Sequence, residues 1–253
     1  MRAMPLDELA ARPGYADRIA AVTARIKAAA SPMEALGLLQ AAADAMGVGA
    51  AAFVSFVRDD DSHESYRFLL ACELAWCAEY EARAWYADDP WLDYARSSTV
   101  PVRARDIAAR GALQRDIVAL ARRYGFTDAL IVPAPSSANI TRTGVLCLGS
   151  SQADFFEGEG FMSLRLQARA LAMELHEWWI GHVGRELMQQ ARLSDSDLAL
   201  LRLERQGQCT KLIADALDTT VHAVNSRFQR MTERLGVPNR KAAANLAAEY
   251  GLI

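Results

Sequence analysis

The closing segment of the chain, Leu193 to Ile253, constrains it most. Between Val221 and Leu235 the apolar residues Val224, Phe228, Met231 and Leu235 recur at i, i+4, i+7 and i+11. They share one side of an α-helix, which must be buried against other helices. The opposite side carries His222, Asn225, Ser226, Gln229 and Arg230, flanked by Arg227 and Arg234. Such side chains can bond base edges or phosphates in a DNA major groove. Before this helix, Cys209 to Leu217 forms a short amphipathic helix, and Asp218-Thr219-Thr220 can turn the chain and cap the next one. That is helix-turn-helix spacing. Thr220, Lys211 and Arg240 complete the candidate DNA-binding face. An arginine-bearing amphipathic helix is by itself equally compatible with the solvated side of a structural bundle, so the stripe alone leaves both readings open.

At 253 residues and 52% hydrophobic content, the chain can bury a substantial core in two modest domains. The expected division is a sensor over residues 1–185, a linker over 186–192 and the helical domain over 193–253. The net charge of −3 is unevenly shared: the helical domain has 8 Lys/Arg against 7 Asp/Glu, and the remainder 20 against 24. A domain so nearly neutral must rely on a few placed arginines and on dimerisation for DNA affinity, because it has no broad basic field. The four cysteines, Cys72, Cys77, Cys147 and Cys209, form no CxxC pair, and the four histidines, His63, His176, His182 and His222, form no HxH or HExxH arrangement. No catalytic constellation is visible, so neither an enzyme nor a bound cofactor or metal is expected. No signal peptide or long apolar run is seen, which points to a cytoplasmic protein without membrane contact.

In the first 185 residues helical periodicity covers Tyr15 to Ala29 and Met33 to Met46, the second opened by Ser31-Pro32. Val48 to Val57 and Ser65 to Ala71 read as strands around an acidic turn at Arg58 to Glu64. Asp128 to Pro133 and Thr143 to Gly149 read as a second pair around Ser136-Ser137-Ala138-Asn139. Helices are expected at Leu74 to Tyr86, Gly111 to Tyr124 and, as one long element, from about Phe156 to Gln190. The order implies an α/β/α sandwich with an antiparallel sheet, followed by a small all-α helix-turn-helix domain. A phosphorylated receiver would place an acidic pair at the end of an early buried strand, whereas Asp59-Asp60-Asp61 falls in a polar turn.

The helical domain resembles that of LuxR-type regulators. Leu193-Ser194, Gly207, Ile213-Ala214, Leu217, Val224, Leu235-Gly236-Val237, Asn239-Arg240 and Gly251-Leu252-Ile253 fall in family register. It departs at Ser196-Asp197, where the family has Arg-Glu, and at Gly207-Gln208-Cys209, where it has Gly-Lys-Thr. Upstream, Trp76, Tyr80 and Asp89-Pro90 are spaced like the signal-binding motif of the LuxR-type autoinducer domain. The resemblance implies an acyl-homoserine-lactone ligand. Trp76 would donate its indole N–H to the lactone carbonyl, Asp89 would accept from the ligand amide, and Tyr80 would close the pocket. A structural reading is also available, with Trp76, Tyr80 and Trp85 as the core stripe of one helix and Asp89-Pro90 as a helix start.

By register, Cys72 stands where the family has tyrosine, Ala104 where it has a second tryptophan, Ala129 where it has glycine and Ile131 where Ser or Thr often bonds the ligand. Ala52 and Val54 occupy strand positions that face the acyl chain, and Trp91 follows Asp89-Pro90 as a candidate filler for volume vacated at Ala104. The expected protein is thus a quorum-sensing regulator that binds a small diffusible signal and, as a homodimer, a two-fold operator in double-stranded DNA. Dimerisation is expected through the long helix, whose apolar residues Phe161, Leu164, Leu166, Leu171, Met173, Leu175 and Trp178 exceed the needs of one face, and through Lys241 to Tyr250. The alternative is an orphan regulator that acts without ligand or in mixed dimers with a related regulator.

Overall fold

A computed structural model describes residues 4–57, 66–136 and 142–253. The acidic turn with Asp59, Asp60, Asp61 and His63, and most of the turn after Ser136, lie outside the described residues. Among the described residues two units emerge, the first formed by residues 4–57, 66–136 and 143–178 and the second by residue 142 with 179–253.

The first unit is built on a five-stranded antiparallel sheet: β1 (Ala50–Val57), β2 (Arg67–Ala71), β3 (Val102–Arg103), β4 (Asp128–Ala134) and β5 (Arg142–Ser150), in the order β2-β1-β5-β4-β3. Four of these match the apolar runs of the sequence; β3, two residues long, carries too little pattern to be read. Alternation along β1 sends Ala50, Ala52, Val54 and Phe56 into one aromatic cluster. That cluster is closed by α4 (Leu74–Ala82), α5 (Pro90–Ser97) and α6 (Gly111–Arg123). On the other face Phe53 lies near His176 of α7 (Gly160–Gln190), both crowding the Cα of Gly144, where a Cβ would meet each within 3 Å. There α2 (Tyr15–Thr23) packs on α3 (Pro32–Met46), and α3 packs on β1 and β2; α1 (Leu6–Ala10) precedes them. The result is the expected sandwich.

Local chemistry sets the helix ends. Ser31 caps α3 by accepting from the Glu34 N–H at 3.3 Å, and Gly47 ends it at φ +80°. The stretch expected as one helix from Leu74 to Tyr86 is broken: Ala84 adopts φ +50°, and Trp85–Ala87 forms a separate 3₁₀ turn. Trp85 therefore does not continue the Trp76–Tyr80 stripe, although all three side chains enter the same cluster.

In the second unit α8 (Asp195–Arg205), α9 (Thr210–Ala216), α10 (Val221–Leu235) and α11 (Arg240–Glu249) enclose a core of Leu198, Leu200, Leu201, Ile213, Val224, Phe228, Met231 and, from α11, Ala243, Ala244 and Ala247. Thr220 caps α10 by accepting from Ala223 N–H at 3.1 Å, and Gly236 ends it at φ +67°. α7 contributes to both units, which divide between Trp178 and Trp179. Of the seven apolar residues expected to support dimerisation, Leu164, Leu171, Leu175 and Trp178 are buried within the chain, Phe161 and Met173 are half-buried, and Leu166 is exposed, as is Met162. Among the described residues, no helix is long and apolar enough to cross a membrane.

Candidate functional site

The aromatic cluster of the first unit gathers the ten sensor residues singled out by sequence. Trp76, Tyr80, Asp89, Pro90, Trp91, Ala52, Val54 and Ile131 are buried, while Cys72 and Ala104 are partly buried against them. Its polar centre is Asp89, which opens α5. One carboxylate oxygen accepts from the Trp91 backbone N–H at 2.7 Å, the cap that starts the helix, and the other accepts from the Tyr80 hydroxyl at 2.7 Å. Pro90 at the first helical position needs no N–H partner, so the chain turns into α5 directly beneath the carboxylate.

Burial pushes the Asp89 carboxyl up to about 6. The hydrogen bonds from Tyr80 and from the backbone of Trp91 and Leu92 offset part of that cost, and Asp93 adds to it. The Tyr80 hydroxyl is pushed well above its usual range by burial and by the neighbouring Asp89 charge, so it acts as a donor. Burial and Asp89 raise the Cys147 thiol likewise, which keeps it protonated and unreactive.

Around this centre Trp76 lies against Tyr80 with ring centroids 4.9 Å apart. Phe126 sits between the two indoles, its ring centroid 5.9 Å from Trp76 and 5.9 Å from Trp91. The indole N–H groups of Trp76 and Trp91 are both buried, and neither has a hydrogen-bond partner among the described residues. A buried donor without an acceptor costs about 1–3 kcal/mol. Two of them in the same buried cluster that holds the Asp89 carboxylate favour a guest bearing acceptors for the indoles and a donor for Asp89. Phe126 and Cys147 were not legible in the sequence. Phe126 follows Gly125, in a left-handed conformation at φ +96°, and Gly149 accommodates it, since a Cβ there would meet the Phe126 ring at 2.5 Å. Cys147 pairs across the sheet with Ile131 and shares its face.

In the second unit α10 exposes His222, Asn225, Gln229 and Arg230; Thr220, Lys211 and Arg234 are also exposed, and Ser226, Arg227 and Arg240 are half-buried. Three of these cations are engaged within the unit. Arg227 donates to Asp197 at 2.9 Å and to the Ser196 hydroxyl at 2.6 Å, and Arg234 donates to Asp197 at 3.3 Å and to the Arg192 carbonyl at 2.6 Å. Arg240 donates to the Thr210 hydroxyl at 2.8 Å and pairs with Glu204 at 3.2 Å. Asp197 also completes a capping box with Ser194. The departure at Ser196-Asp197 is therefore an ordered hub that fixes two arginines of α10 against the start of α8. At the other departure, Cys209 stands at the cap position of α9 and its side chain makes no capping hydrogen bond.

The family model for the autoinducer binding domain matches residues 31–178, more than half of the chain and all of the aromatic cluster. The chain belongs to the autoinducer-binding-domain family. Its fold is shared with solved structures. A crystal structure of Escherichia coli SdiA superposes with a TM-score of 0.71 at 18% identity, covering 93% of this chain and 97% of that one. SdiA in complex with octanoyl-rac-glycerol gives 0.68 at 17% identity, covering 91% and 93%. CepR2 from Burkholderia cenocepacia, described as an N-acylhomoserine lactone dependent LuxR family transcription factor, gives 0.56 at 16% identity, covering 65% of this chain and 95% of that one. At these identities the likeness is one of fold. No curated protein sequence matches the chain.

Proposed function

We propose that this autoinducer-binding-domain protein is a signal-responsive transcription regulator whose aromatic cluster binds an N-acyl homoserine lactone and whose helical unit, in residues 193–253, binds DNA as part of a homodimer. The observation that carries the ligand reading is the Asp89 carboxylate, held by Tyr80, in one buried cluster with the unpartnered Trp76 indole N–H. An amide-bearing lactone supplies the acceptor that Trp76 lacks and a donor for the remaining lone pairs of Asp89. CepR2, which shares the fold, is described as lactone dependent. The DNA reading is supported by the exposed polar row His222, Asn225, Gln229 and Arg230 on a capped helix of helix-turn-helix spacing. Exposed Met162 and Leu166 on α7 support self-association.

A ligand that binds only the native state raises stability with the logarithm of its concentration. The full chain, purified from a host that makes no acyl-homoserine lactone, should therefore melt at a higher temperature with at least one member of a chain-length panel. On a duplex selected in vitro with the full chain, an Asn225→Ala, Gln229→Ala variant should lose about 1–3 kcal/mol of discrimination for each good base contact removed. Unchanged discrimination would remove the DNA assignment. One observation favours the ligand-independent reading: both Asp89 oxygens already accept hydrogen bonds within the chain. Under that reading no lactone shifts the melting temperature, and DNA binding proceeds without one.

A further inference from the structure

The indole of Trp91 has no counterpart in the signal-binding motif that the sequence resembles, and its N–H has no hydrogen-bond partner among the described residues. Trp91 is 5% exposed, and its N–H, like that of Trp76, is a buried donor lacking an acceptor among the described residues. Trp91 is also fixed in place. Its backbone N–H is clamped by Asp89 at 2.7 Å, it sits in the first turn of α5, and its ring packs against Phe126. A ring needed only to fill space would be served by phenylalanine without the cost of an orphaned donor. We infer that Trp91 is a second ligand-binding donor, and that the cluster is built for a guest with two carbonyl-class acceptors and one N–H.

This inference rests on the lactone reading of the same cluster and deepens it. An N-acyl amino lactone has two carbonyls, one on the ring and one on the acyl amide, with a single amide N–H. Two indoles and one carboxylate complement that set. Trp76 takes the lactone carbonyl under the motif resemblance, which leaves the acyl carbonyl to Trp91, across Phe126. Asp89 ties the two halves together, since the carboxylate that would accept the ligand N–H also positions the Trp91 backbone. Cys72, in place of the family's tyrosine, is only a weak donor, so the site needs another hydrogen-bonding group for an acyl carbonyl. An ester that keeps both carbonyls and lacks the N–H should bind through the indoles while losing the Asp89 contact.

The test uses the full chain with two ligands, N-octanoyl homoserine lactone and N-octanoyl cyclopentylamide, which retains the acyl carbonyl and lacks the lactone carbonyl. Isothermal titration of wild type, Trp76→Phe and Trp91→Phe should show Trp91→Phe weakening both ligands by about tenfold and Trp76→Phe weakening only the lactone. Indole N–H resonances of ¹⁵N-tryptophan-labelled wild-type protein, assigned from through-space contacts to the rings of Tyr80 and Phe126, provide a second readout that does not depend on how the variants fold. The signals of Trp76 and Trp91 should both move downfield with the lactone, and only that of Trp91 with the cyclopentylamide. Equal affinity of Trp91→Phe and wild type, or a Trp91 signal that stays in place while ligand binds, overturns the assignment and leaves the lactone reading standing. Wild-type protein that binds neither ligand overturns both.

Discussion

Two aspartates, one in each unit, show how differently the chain handles the same side chain. Asp89 and Asp197 are both buried carboxylates at the N-terminal end of a helix, and each accepts a backbone N–H in capping geometry. Asp89 is surrounded by aromatic rings and neutral donors, and burial raises its carboxyl to about 6. Burial also pushes the Asp197 carboxyl up, but the hydrogen bonds from Ser194 and the guanidinium of Arg227 outweigh it and hold the group below the usual carboxylate range. A charge paired with guanidinium is a fixed structural joint. A carboxyl kept in an apolar shell with neutral partners is poorly stabilised in its charged form, so an incoming N–H donor gains more there. The contrast separates a site prepared to exchange partners from one that holds a framework.

The largest expected effect tests the Asp89 half of this contrast. A carboxyl that binds its proton more tightly folded than unfolded stabilises the fold most at low pH. Its contribution is fully present below the ordinary value of 3.8, falls as the pH rises, and is lost above about 6. The drop should approach about 3 kcal/mol over that window. Urea denaturation of ligand-free wild type and Asp89→Asn at pH 4 and pH 7 isolates it, because the other carboxyls titrate in both. Wild type should lose that increment relative to the variant as the pH rises. A parallel pH dependence in the two proteins would mean that Asp89 is solvated. A lactone whose N–H requires the carboxylate should bind more tightly as the pH rises through about 6, by up to about tenfold per unit on the acid side.

Asp197 should behave in the opposite way and somewhat more weakly. Replacing it by alanine removes the capping box and leaves Arg227 and Arg234 without their shared acceptor. A lost cap costs about 1 kcal/mol, and two half-exposed ion pairs add about 1 more. Hydrogen exchange read by mass spectrometry should show loosened amides across α8 and α10, with the aromatic cluster unaffected. Equal protection in the variant would mean that Arg227 and Arg234 find other acceptors at no cost. Asp197→Asn should fall between the two, because it keeps an acceptor for the backbone but loses the charge.

The same contrast explains what the sequence could and could not tell. The stripe Val224, Phe228, Met231 and Leu235, the Thr220 cap and the Gly236 terminator all lie within one helix, so periodicity and end signals were enough to place α10. Trp76, Tyr80 and Asp89 were legible because their spacing carries a motif. Phe126 and Cys147 were not, since they reach the same cluster from a turn and from β5. Only the sheet register and the close approach at Gly149 bring them there. The pairing of Arg227 and Arg234 with Asp197 is non-local in the same sense. Arginines on a helix flank look solvated until the start of α8 is known to lie beside them. The break at Ala84 was hidden for another reason: alanine is a strong helix former, and nothing in its neighbourhood announces a left-handed residue.

The smallest expected effect concerns the helical unit alone and runs toward greater stability. Cys209 occupies the cap position of α9 with extended backbone at φ −72° and ψ 156°, yet its side chain makes no capping bond. The thiol is a weak acceptor and caps none of the first N–H groups of this seven-residue helix, whereas a hydroxyl at the same position could accept from them. The geometry needs no rearrangement, because Thr220 at the start of α10 has the same extended conformation and accepts from Ala223 N–H at 3.1 Å. Cys209→Thr should therefore stabilise the second unit by about 0.5–1 kcal/mol, and Cys209→Ser by a similar amount, while Cys209→Ala should be near neutral because there is no cap to lose. Denaturation combined with hydrogen exchange in α9 separates these outcomes. If threonine and alanine behave alike, the helix start is held by its burial at Ile213 and Ala214 and not by its end groups. In that case the contrast between caps that matter, at Asp197 and Thr220, and one that does not would track helix length: a helix of two turns fixed by its core gains little from satisfying a terminus that water already reaches.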